Sequence, residues 1–112
     1  MELFRLVWVL FLATTITLVF SFVSIMGHER VHQVIFLHYG VESKIEVGSI
    51  DQYGFLTFHA VPQNDFNGSR EDYRAMMSAH ELNETIAYNL SPYFMALLFL
   101  VAGSFFWQLT KG

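Results

Sequence analysis

Two uncharged apolar stretches, Leu6 to Met26 and Pro92 to Leu109, set the terms on which this chain can fold. At about 1.5 Å of rise per residue, each is long enough as a helix to cross roughly 30 Å of hydrocarbon. Inside hydrocarbon a single segment must satisfy its own backbone, and the helix is the structure that does so. Composition points the same way. Of 112 residues, 54% are hydrophobic, 17% aromatic and only 14% charged, unlike an ordinary small soluble domain. The sequence therefore predicts a mainly α membrane protein held in a lipid bilayer by two transmembrane helices, about 4–26 and about 92–109. Arg5 ahead of the first apolar run also fits a signal peptide. That run exceeds the usual length of a signal core and ends without a clear small-x-small cleavage site, so it is expected to remain attached as an anchor.

Between the spans the character of the chain changes. Gly27 to Ser91 carries nine acidic residues against Arg30, Lys44, Arg70 and Arg74, whereas Arg5 precedes the first span and Lys111 follows the second. The positive-inside rule then places both termini in the cytoplasm and the 27–91 segment on the extracytoplasmic side. The net charge of −4 and the lack of a basic patch disfavour nucleic acid as a partner, and no glycine-rich phosphate loop is present. With no cysteine, disulfides, thiolate ligands and iron–sulfur chemistry are excluded, so any metal must be held by His, carboxylate or water.

The connecting segment reads as an α+β insert. No proline interrupts Met26 to Tyr39, apolar residues recur at Val31, Val34, Ile35 and Leu37, and Gly40 is placed to end a helix, which predicts a helix over 27–39 continuing from the first span. Lys44-Ile45-Glu46-Val47 alternates polar and β-branched residues, Asp51-Gln52-Tyr53-Gly54 is turn-like, and Phe55 to Val61 is rich in strand formers, so a β-hairpin is expected over about 44–61. Pro62 to Ser69 has loop composition. Ser69 can cap a helix over about 70–89, with Asp72 as its capping-box partner. That helix either breaks at Leu90-Ser91 before Pro92 or continues as one kinked rod. With no repeat or long linker, the chain is treated as a single membrane-anchored unit, 1–112.

The chemistry concentrates at residues 28 to 32, His-Glu-Arg-Val-His, an HExxH motif. On a helix His28 and His32 share one face a turn apart, so two imidazoles can bind one zinc ion while Glu29 reaches a water on the metal. The plainer alternative makes the two histidines interfacial polar residues at a helix end. A catalytic zinc site ordinarily has three protein ligands and an open fourth position. The best candidate for the third is Glu84, with His80 one turn earlier on the same helix face.

His28-Glu29-Arg30-Val31-His32-Gln33, followed downstream by Asn83-Glu84-x-x-Ala87-Tyr88, resembles the gluzincin metallopeptidases, in which HExxH on one helix is completed by a Glu from a second helix. The resemblance covers two short helices. It implies zinc held by His28, His32 and Glu84, with Glu29 as general base, and a peptide or protein substrate. The chain is also similar to small archaeal and viral membrane proteins that combine HExxH, a following Tyr-Gly (here Tyr39-Gly40) and a downstream His-x-x-Asn-Glu (here His80 to Glu84). Glu84 lies farther from His32 than in the compact thermolysin-like arrangement. The intramembrane site-2 peptidases fit less well, since this motif flanks a span and the second span holds no Leu-Asp-Gly.

Neighbouring residues admit several roles. His80 could be a fourth ligand, which closes the site, or a donor to a developing oxyanion. Tyr88 could make the same oxyanion contact or simply anchor at an interface. Asn83 is placed to hydrogen-bond near the site. His38 and His59 read as ordinary surface or hairpin residues, and of three glycosylation sequons only Asn67, in a glycine-containing loop, looks accessible. The leading expectation is a zinc-dependent peptidase acting at the membrane surface. The alternative is a non-catalytic small subunit of a larger membrane complex with a structural metal site. Small residues at Ala96, Ala102, Gly103 and Ser104 allow a close helix neighbour, hence homo-oligomers or a larger assembly. Haem ligation by His28 or His32 leaves both Glu29 and Glu84 without a role.

Overall fold

The computed structural model describes residues 1–50 and 56–111. In chain order these form a helix α1 (Glu2–His38), a strand β1 (Ser43–Ile50), a strand β2 (Leu56–Pro62) and a helix α2 (Arg70–Leu109). The protein is mainly helical, with one two-stranded antiparallel sheet. Both helices are long and apolar enough to cross a membrane. The expected turn at Asp51-Gln52-Tyr53-Gly54 lies outside the described residues.

The helices are continuous where the sequence marks candidate boundaries. α1 passes from the apolar run through the HExxH motif in one piece, and α2 runs through Pro92. Thr15 and Thr17 donate to the carbonyls of Phe11 and Ala13, each at 2.8 Å, so hydroxyls within the apolar stretch are satisfied by their own helix. The chain divides into two compact units, one of residues 1–24 with 88–112, the other of residues 25–87.

In the first unit, Val9, Ala13 and Ala102 are buried. A methyl built on Gly103 would stand 4.0 Å from the Ala13 side chain, so small residues bring these parts of α1 and α2 close. Arg5 lies 3.6 Å over the Trp107 ring, donates to the Trp107 carbonyl at 2.5 Å and to Thr110 Oγ1 at 3.2 Å. One guanidinium thus satisfies a carbonyl of the last turn of α2 and opposes the negative end of that helix.

In the second unit α1 stops at a left-handed glycine. Gly40 has φ of 78°, its N–H donates to the Leu37 carbonyl at 3.0 Å, and the Val41 N–H donates to the Phe36 carbonyl at 2.9 Å. This is a Schellman termination, and Val41 is buried beneath it. Substituting alanine at Gly40 places a Cβ in left-handed backbone and is expected to cost about 1 kcal/mol, read as a lower melting temperature in detergent. β1 and β2 pair antiparallel from Ser43↔Pro62 through Val47↔Phe58. Ser69 Oγ accepts the Asp72 N–H at 3.0 Å, the expected N-cap of α2.

Candidate metal centre

The buried polar side chains of the described residues are Glu29, His32 and His80, at 7%, 8% and 8% exposure, and all three lie in the second unit. Burying ionisable groups is costly unless each finds a partner. Here the partners are one another, and helical spacing supplies them. His28 and His32, one turn apart on α1, meet edge to face with ring centroids 4.7 Å apart, and His80 and Glu84 are likewise one turn apart on α2.

The two helices meet at one oxygen. Glu84 Oε1 is 2.9 Å from His28 Nε2 and 2.5 Å from His32 Nε2. Glu29 Oε1 stands 3.9 Å from His28 Nε2. His28, Glu29 and His32 each offer a ligand atom within 4.8 Å of the others, a group able to hold a metal ion. Asn83 donates through Nδ2 to the His28 carbonyl at 3.2 Å, tying α2 to the backbone that carries the first histidine.

Electrostatics follow from this packing. Burial alone pushes the Glu84 carboxyl up, but its hydrogen bonds with His32 and His28 and the field of both rings outweigh burial and hold it below the ordinary carboxylate value. The Glu84 carboxylate therefore stays ionised at neutral pH, as a ligand must. Burial, reinforced by His32 and opposed by Glu84, lowers the His80 pKa, which keeps this imidazole neutral.

Of the candidate ligands and catalytic residues read from the sequence, His28, Glu29, His32, His80 and Glu84 come together. His80 sits against His32, Nδ1 to Nδ1 at 2.6 Å. Tyr88 belongs to the first unit and is 74% exposed. Asn83 makes the kind of supporting hydrogen bond expected of it. The surroundings add two features. Glu29 Oε2 accepts the backbone N–H of Ala60 in β2 at 2.7 Å, and His59 lines the same open cleft, about 620 Å³, together with Phe36 and Met77. The Ala60 contact is made by backbone, so no residue type announces it. His59 is an exposed residue of β2, in keeping with the hairpin residue expected from the sequence.

No protein-family model, curated protein or solved structure matches this chain.

Proposed function

We propose that the chain is a two-span membrane protein carrying a zinc-dependent, gluzincin-like peptidase site outside the bilayer, with both termini cytoplasmic and the 27–91 segment extracytoplasmic. The observation that carries this reading is the convergence of His28 Nε2 and His32 Nε2 on Glu84 Oε1 beside the Glu29 carboxylate. Two imidazoles and a carboxylate are a donor set suited to zinc, with the chemistry of a three-ligand catalytic centre.

A zinc ion held by His28, His32 and Glu84 would lower the pKa of a coordinated water and polarise the scissile carbonyl. Glu29 takes the proton from the attacking water and returns it to the departing amine. Ala60 on β2 puts strand backbone against Glu29, and the cleft beside it offers Phe36 and Met77 to apolar substrate side chains. Hydrolysis of a mixed peptide library by the purified protein is the test. Cleavage should disappear with a zinc chelator and return when zinc is restored, and a protein that binds zinc yet cleaves nothing would refute the peptidase reading.

A second reading keeps the metal and drops the catalysis. Glu29 places a fourth donor in the same cluster as the two histidines, and four protein ligands make a closed, structural site. In that case the chain is a small subunit of a larger membrane complex. The same peptide assay separates the two, since a closed site holds zinc without turnover.

A further inference from the structure

His32 and His80 bring their Nδ1 atoms within 2.6 Å. Two neutral ring nitrogens at that distance share one proton, so one donates and the other presents its lone pair. If His80 holds the proton, neutral His32 carries its own hydrogen on Nε2, directed at Glu84 Oε1, and has no lone pair there for a metal. If His32 holds it on Nδ1, the Nε2 lone pair is available. Only the second arrangement makes His32 a ligand.

We propose that His80 is a positioning residue that selects the metal-binding tautomer of His32 by accepting its Nδ1–H. This rests on reading His32 as a ligand. The surroundings of His80 suit the task. Its ring is buried, packs 4.3 Å from the Phe36 ring and lies at 31° to the His32 ring, so two rings of α1 one turn apart hold it in place. Accepting at Nδ1 places the His80 hydrogen on Nε2, which has no hydrogen-bond partner among the described residues, so the polar contact that fixes this ring is the one its Nδ1 makes with His32. Because His80 stands one turn before Glu84, a single face of α2 addresses both nitrogens of His32, one through a carboxylate and the other through an imidazole. Carboxylates commonly orient ligand histidines. A neutral imidazole does the same without adding a third negative charge beside Glu29 and Glu84.

The test compares zinc affinity, by chelator competition, in wild type, His80→Leu and His80→Asn. Nitrogen-15 histidine spectra of the zinc-loaded wild type read the tautomers directly. Leucine cannot accept a hydrogen bond and should weaken zinc binding about 10–100-fold, whereas the asparagine Oδ1 mimics Nδ1 and should restore most of it. The spectra should show His32 protonated on Nδ1 and His80 unprotonated there. Wild-type affinity in His80→Leu, loss as large in His80→Asn, or a protonated or metal-bound His80 Nδ1 would overturn the assignment while leaving the metal site standing. A wild type that takes up no zinc would overturn the metal site itself, and this role with it.

Discussion

Glu29→Gln is expected to reduce peptide hydrolysis by about 10²–10⁴-fold, the usual contribution of a general base, while zinc content and folding stay near wild type. The separation of effects follows from how Glu29 is held. One of its oxygens accepts the Ala60 N–H at 2.7 Å, and a glutamine amide oxygen can accept the same bond. What glutamine cannot do is take a proton from water. Glu29→Ala is a poorer probe because it also removes the acceptor from the edge of β2. Steady-state cleavage of an identified peptide, with metal content measured on the same sample, checks the result. Activity within a few-fold of wild type would remove Glu29 from the chemistry.

The second large effect belongs to Glu84. Glu84→Ala deletes the oxygen on which both Nε2 atoms converge, and with it the negative charge that α2 sets against them. Removing a partner that merely orients a ligand typically costs 10–100-fold in metal affinity. Losing the ligand itself should exceed that range, and zinc should no longer survive purification. His32→Ala should be at least as severe, since it also deprives buried His80 of its hydrogen-bond partner. Equilibrium dialysis against zinc, with melting curves run alongside, separates lost affinity from lost fold.

Much of the architecture can be read from local patterns. Gly40 and the proline-free run before it place the end of α1, and Ser69 marks the start of α2, because both act through their own backbone geometry or capping oxygen. The hairpin follows from alternation around Ile45 and Val47 and the strand formers before Pro62. Pro92 left two possibilities, a break or a single rod, and α2 is a single helix through it. A proline forfeits one helical hydrogen bond, but a full break leaves several backbone groups at two helix ends to be satisfied elsewhere, so continuity is cheaper. In the site, helical spacing paired His28 with His32 and His80 with Glu84. It could not say which imidazole nitrogen met which neighbour. That depends on how α1 and α2 face each other within the second unit, and so the contact of His80 with His32 and the backbone of Ala60 against Glu29 emerge only from the tertiary structure.

The most direct measurement of the central claim is elemental mass spectrometry of detergent-purified wild type, Glu84→Ala and His28→Ala after equilibration with zinc and removal of the excess. Near-stoichiometric zinc in wild type that is lost in both variants is the predicted result, since the site is built from both helices. Zinc missing from wild type, or retained in Glu84→Ala, would contradict the three-ligand centre.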